Sequence, residues 1–419
     1  MKKRVAISIM DQGLVSAFNF ALNLILIKAW SPQEYGKFGI ILSVGLLLVG
    51  VQNAMVNTPA SVMLPTATSG LRKKQLRTLF SVVNILICIA AFLSSFLFAL
   101  FPQLDLDAPA VTAIGYYLAT TLFREYLRNR AIVVGRLKSV LIDDGFFVIL
   151  AAAELVYAYR YLEPNALSLA FCLNALALAN LMIMLSSLIG EIRSILQSPW
   201  QACKELYPGV WKEASWSLIG VATTEAQNRG YVFVVGAIFG TAAVGSIQAG
   251  RVFFGPLNLV TSAWSRVARP YLSVLVEESN SGKFFRLLGV SVLSFIVLNI
   301  SFSSALWFAW PFLNLHFFGD KYSGVVLTVM LWALATLLFQ IRSVCGVGVQ
   351  ACRKFKQLAL TTIIGAVVSM AALMGVCWAG MPEWAVSSVI AGEVVAAASI
   401  FYILARTRFT KVSKDACGE

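Results

Sequence analysis

One recurrence constrains this chain more than any other feature. Apolar stretches follow one another from end to end, separated by short polar breaks, and each reaches the roughly 20 residues that a helix needs to cross about 30 Å of hydrocarbon. In lipid every backbone donor and acceptor must be satisfied internally, so only helices or a closed barrel can span. Barrel strands would be half as long and would alternate, which these stretches do not. With 59% hydrophobic and 13% charged residues, the chain lies far from soluble globular proteins. An all-α polytopic membrane protein is expected.

Twelve spans are read: Val5 to Trp30, Phe38 to Leu64, Leu79 to Phe101, Ala110 to Val134, Val140 to Tyr159, Ala166 to Gly190, Trp211 to Phe239, Ala242 to Val274, Phe285 to Trp310, Gly324 to Val349, Leu358 to Gly380 and Trp384 to Ala405. The longest break, 191–210, holds Pro199, Trp200 and Pro208 and divides the spans evenly. The expected organisation is a six-span lobe over 1–190, a cytoplasmic connector over 191–210 carrying a short interfacial helix at Pro199 to Leu206, and a second six-span lobe over 211–419. Two lobes of six would enclose a central cavity.

Short cytoplasmic loops accumulate Lys and Arg, which fixes orientation. With both termini inside, every lysine and arginine falls on a cytoplasmic segment except Lys28, Lys37, Arg160 and Lys321 in outer loops, and Arg229 and Arg251 within the membrane. The net charge of +13 therefore belongs to the cytoplasmic rim and its anionic lipid headgroups. No nucleic-acid partner is expected. The Met-Lys-Lys-Arg start resembles a signal peptide, but Asp11, Gln12 and Gly13 interrupt its apolar run, so an uncleaved first span is expected.

Six spans on each side with the same orientation suggest a parallel repeat. One offset places Asn19 on Asn228 and Gly36 on Gly245. Another places Arg136, Leu137 and Lys138 on Cys352, Arg353 and Lys354, and Leu122-Phe123 on Leu338-Phe339.

Three motifs carry a family resemblance. The turn from Trp30 to Gly39, Trp-Ser-Pro-Gln-Glu-Tyr-Gly-Lys-Phe-Gly, has its counterpart in Gly240 to Gly245, which leads into a span ending Ala268-Arg-Pro-Tyr271. Phe318-Gly-Asp-Lys-Tyr322 is a third element. Together they resemble the multidrug/oligosaccharidyl-lipid/polysaccharide (MOP) exporter superfamily, and within it the Wzx-type O-antigen and exopolysaccharide flippases. The resemblance implies a two-lobed transporter that carries an undecaprenyl-diphosphate-linked oligosaccharide from the cytoplasmic to the periplasmic leaflet of the bacterial inner membrane by alternating access. A polysaccharide polymerase or chain-length machinery would be its partner, and no cofactor is implied. A proton- or sodium-coupled drug exporter of the superfamily would share the architecture but call for an acidic cavity, and a membrane-embedded polysaccharide-modifying enzyme would call for a large outer loop or an intramembrane His/acid constellation, neither of which is visible. The lipid II flippase, another relative, typically has two further helices.

Ionised side chains inside the membrane are costly and normally face a bundle interior or a wet cavity. Glu225 and Arg229 share a face of span seven, where they either neutralise each other or line the lumen. Asn228 beside them and Asn19 on span one add polar groups. Arg251 in span eight either binds diphosphate oxygens or snorkels outward. With no arginine in the core of the first helical pair, binding is expected to weigh on the C-terminal lobe. Arg124, Arg342 and Arg266 are read as rim anchors or as a cytoplasmic gate, and Glu125 and Arg128 as a local pair. Asp11, Glu154 and Glu393, with Glu225, are candidates for ion coupling, since a carboxylate in a dry setting can carry a proton. Asp143 and Asp144 are expected to cap span five.

Other signals point nowhere. Asp105-Leu106-Asp107 matches a metal-holding DxD pattern but falls in an outer loop, away from cytoplasmic nucleotides. His316, the only histidine, has no acid or nucleophile in its motif. The seven cysteines lack metal-ligand spacing and read as packing residues, so neither a metal nor catalysis is expected.

Overall fold

The computed structural model describes residues 2–67, 69–161, 167–196, 200–322 and 324–407. It is 93% helical, with no strand among the described residues. The helices are α1 (Lys2–Ala29), α2 (Pro32–Gln52), α3 (Thr58–Thr66), α4 (Gly70–Ser94), α5 (Ala108–Val133), α6 (Leu137–Tyr161), α7 (Leu169–Leu196), α8 (Trp200–Phe239), α9 (Thr241–Arg251), α10 (Gly255–Glu277), α11 (Ser281–Leu313), α12 (Val325–Ala351), α13 (Phe355–Trp378) and α14 (Ala385–Ala405).

Two of these junctions are kinks within a single span. Between α2 and α3 the chain makes a π turn at Asn53–Asn57, just before Pro59, whose missing N–H and ring disfavour an ordinary helix interior and are eased by the wider turn. Between α9 and α10 a 3₁₀ turn at Val252–Phe254 precedes Pro256 for the same reason. Joined across the kinks, the helices form the twelve expected spans. Seven are long and apolar enough to cross a membrane on composition alone. Those that fall short include α5 and α6, which hold Arg124, Arg128 and Asp144, and α8 to α10, which hold Arg229 and Arg251.

The connector is helical where it is described. α7 continues to Leu196, residues 197–199 lie outside the described residues, and α8 runs unbroken from Trp200 through Pro208. The short helix expected at Pro199 to Leu206 is thus the beginning of the seventh span.

Contacts divide the chain into two compact units, Met1–Leu22 with Gln33–Glu225, and Asn23–Pro32 with Ala226–Glu419. Inside the first, Val210 of α8 packs with Val56, Leu76, Phe80 and Tyr126. α2 begins at Pro32, as the missing N–H of proline favours. Lys37 is therefore helical and buried rather than in a loop. Its ammonium donates to Glu34 Oε1 at 2.7 Å and to the Asp105 carbonyl at 3.1 Å.

Inside the second unit, Leu272, Phe284, Leu288, Val344 and Ile400 form the core. The Phe318 to Tyr322 turn has a definite task there. Lys321 Nζ donates to the Lys28 carbonyl at 2.7 Å and Tyr322 Oη to the Ile27 carbonyl at 3.4 Å, so the turn satisfies carbonyls that the end of α1 leaves open. α13 and α14 approach closely at Gly365 and Gly392, where a Cβ on Gly392 would lie 2.7 Å from the Gly365 carbonyl oxygen.

The turns after α5 and α12 are built alike. Arg136 N donates to Ala131 O at 2.8 Å and Lys354 N to Val349 O at 3.2 Å, each closing over a left-handed residue, Gly135 (φ 81°) and Arg353 (φ 57°). Gly135 and Arg353 are related by the same offset as Arg124 and Arg342. This differs from the sequence-based match of Arg136 with Cys352, because a turn is registered by its left-handed residue rather than by letter identity.

Candidate functional site

Arg251 lies at the end of α9, one residue before the kink that Pro256 imposes. It points into the second unit rather than outward. Its Nη1 donates to the Asn228 carbonyl at 3.4 Å and to Tyr231 Oη at 3.3 Å, while Cζ lies 4.9 Å from the centroid of Trp332. Those partners are themselves fixed. Tyr231 Oη donates to Gln248 Oε1 at 3.3 Å, and Trp332 Nε1 donates to the Ile247 carbonyl at 3.0 Å. Arg251 meets no carboxylate among the described residues. A guanidinium has five N–H donors in a rigid fork, and only Nη1 is engaged here.

This side chain opens onto a cavity of about 190 Å³ lined also by Asn228, Asn258, Thr336, Phe339 and Glu393. At about 30 Å³ of liquid per water, that is room for roughly six waters, enough for a phosphate-sized group but not for a glycan chain.

The one carboxylate in that lining is occupied. Glu393 of α14 is 1% exposed and accepts from Arg342 of α12 through both oxygens, Nε to Oε2 at 2.5 Å and Nη2 to Oε1 at 3.1 Å. Gln227 Nε2 adds a third donor to Oε1 at 3.0 Å. Arg342 is thus half-buried and committed to Glu393 rather than standing as a free charge, with its Cζ 5.4 Å from the ring centroid of Phe339. Asn299 Nδ2 donates to Gln340 Oε1 at 3.3 Å, leaving Gln340 Nε2 buried with no partner.

The first unit holds a larger cluster. Asp144 of α6, 2% exposed, accepts from Arg124 Nη2 and from Arg128 Nε, the latter at 2.9 Å. Arg128 Nη2 also donates to Asp11 of α1 at 2.6 Å, and its Nη1 lies 3.6 Å from Glu125, so the local pair expected there is one arm of a network. Arg124 Nη1 reaches Asn180 Oδ1 at 3.4 Å, and its Cζ sits 3.8 Å over Phe147. Arg124 therefore leaves the rim role too. Asp144 is no helix cap: α6 begins at Leu137, which places Asp144 beyond its first turn, facing α5.

Of the remaining candidates, Asn19 is exposed, while Glu225 in the first unit and Arg229 in the second are half-buried. Arg266 is exposed on α10. Glu154 is half-buried on α6, its Oε2 without a hydrogen-bond partner. Asp107 caps α5 by accepting from Ala110 N at 2.9 Å, and Asp105 forms the preceding left-handed turn, which accounts for the DxD pattern structurally. His316 stacks on Phe312, with centroids 4.1 Å apart. Cys345 packs in the second core. No cluster among the described residues has the side chains to hold a metal ion.

Sequence reading did not single out Gln227, Asn180, Tyr231 or Trp332. A signal existed for the amides, since Gln227 and Asn180 are polar interruptions in apolar runs, and such residues in lipid usually answer another polar group.

No protein-family model and no curated protein matches the chain. Solved structures do. The lipid II flippase MurJ in an inward closed conformation matches with a TM-score of 0.69 at 14% identity, covering 96% of this chain and 87% of that one. An inward-facing MATE-family multidrug resistance transporter of the MOP superfamily matches with 0.67 at 10%, over 93% and 94%. An outward-facing one gives 0.59 at 13%, over 96% and 94%. The fold is that of MOP-superfamily transporters. The chain is a multi-pass membrane protein built on that plan.

Proposed function

We propose that the protein is a flippase of the Wzx type, translocating an undecaprenyl-diphosphate-linked oligosaccharide across the bacterial inner membrane for O-antigen or exopolysaccharide assembly. Both termini are cytoplasmic in this reading, and transport proceeds by alternating access without covalent chemistry. The supporting observation is Arg251. Its cavity carries a guanidinium with no carboxylate beside it, whereas Glu393 in the same lining is already matched by Arg342. A cationic pocket suits diphosphate oxygens, which a guanidinium fork binds with charge-assisted hydrogen bonds. Asn228, Arg229, Glu225 and Asn19 are proposed to extend the substrate path, and the prenyl tail stays in lipid.

A cation-coupled multidrug exporter is the second reading. The likeness to MATE transporters favours it equally, and the buried Asp11 and half-buried Glu154 offer candidate proton carriers. The test is complementation in a strain lacking the protein. Arg251→Ala, expressed at the wild-type level, is expected to lower surface polysaccharide at least about tenfold, with partial return in Arg251→Lys. Full polysaccharide with Arg251→Ala would reject the assignment. Drug sensitivity that follows the gene, with polysaccharide unaffected, would select the exporter.

A further inference from the structure

The first unit contains a second cationic cavity, of about 150 Å³, at the end of α5 where the chain turns into α6. Arg77 of α4, Arg124, Arg128 and Arg130 of α5, and Arg136 of the turn all line it. Gly135, in the left-handed conformation, reverses the chain so that Arg136 faces the same space as Arg130. The carboxylates nearby do not balance this set. Asp144, Asp11 and Glu125 are committed to Arg124 and Arg128. Asp143, also in the lining, lies 3.5 Å from the Ser139 hydroxyl. Arg77 and Arg136 form no ion pair among the described residues, and Arg124 Nε is buried with no hydrogen-bond partner.

Guanidinium groups crowded around an enclosed space repel one another, and partial burial weakens the screening that would make this cheap. A bound anion removes that cost. Topology requires only positive charge along a rim, which flexible, outward-pointing lysines provide; it does not require arginines from two helices and a turn converging on one cavity. Beside the arginines and Asp143 and Asp144, the lining has Ser139 and Ser187 and an apolar flank of Leu127, Val134, Ile183 and Met184, of which Val134 is exposed. Arginines beside an apolar flank with an exposed valine suit a phosphate ester carried on hydrocarbon better than a free phosphate.

We infer that this cavity binds the phosphate headgroup of an anionic membrane lipid, at a site separate from the Arg251 pocket. Because Arg124 and Arg128 serve both the cavity and the network with Asp144 and Asp11, occupancy draws on the same donors that hold α1, α5 and α6 together. Lipid binding is therefore coupled to the first unit's network.

The experiment uses purified full-length protein in detergent, equilibrated with phosphatidylglycerol or phosphatidylcholine, with retained lipid counted by native mass spectrometry. Wild type is expected to retain phosphatidylglycerol at least about tenfold more tightly than phosphatidylcholine. Arg77→Ala/Arg136→Ala, both at exposed positions, is expected to lose that preference, and Arg77→Lys/Arg136→Lys to keep part of it. Equal retention by wild type and the double alanine variant overturns the inference. So does displacement of the lipid by millimolar inorganic phosphate, which would make this a free-phosphate site. Loss of phosphatidylglycerol on Arg251→Ala would place the lipid at the transport site and equally overturn it.

Discussion

The two units solve one problem differently. Each has a half-buried arginine on its fourth span, Arg124 or Arg342, and the turns that follow relate the two positions. In the second unit one carboxylate answers one guanidinium through two oxygens, with Gln227 of that unit's first span completing the set. In the first unit the acid on the first span is Asp11, the sixth span contributes the amide Asn180, and Asp144 on the fifth is shared by two arginines. Acid and amide have exchanged spans, and Asp11 and Gln227 are related by one of the offsets that align the sequence halves. A shared network tolerates loss of one member. A single forked pair does not, because a buried charge left alone costs more than the pair contributes.

That contrast can be broken by substitution, read as thermal unfolding of the full-length protein in detergent. Glu393→Ala removes the carboxylate that, among the described residues, answers Arg342 and is expected to cost about 3–5 kcal/mol. Asp144→Ala strips Arg124 but leaves Arg128 on Asp11, so a smaller loss of about 2–3 kcal/mol is expected. A loss as large as that of Glu393→Ala would mean the first network is no more redundant than the second. Arg124→Met, which keeps the apolar stem and leaves Asp144 with Arg128, should cost least, about 1–2 kcal/mol. If it were the most damaging of the three, stacking on Phe147 would outweigh the ionic network.

The fold was legible because span length is a property of local composition. The α2–α3 and α9–α10 kinks follow from Pro59 and Pro256, and every expected span has its helix. Arg251 and Asn228 stood out as candidates because charge and amides in an apolar run are conspicuous, and both line one cavity. Pairing was not, since it depends on which helices face each other. Arg124 and Arg342 lie near helix ends and so read as rim charges, yet their length lets the guanidinium reach inward to α6 or α14. Asp144 stands just before a long apolar run and so read as a cap, but the helix had already begun at Leu137. Lys37 read as a loop charge because the first outer turn looked longer than the two residues that separate α1 from α2.

The clasp on the end of α1 bears on how the chain is made. Lys321 and Tyr322 bond carbonyls 293 and 295 residues earlier in sequence. Until residue 321 has been made, those acceptors at the end of α1 are left to water, so the clasp on the first helix can close only after most of the chain has been synthesised.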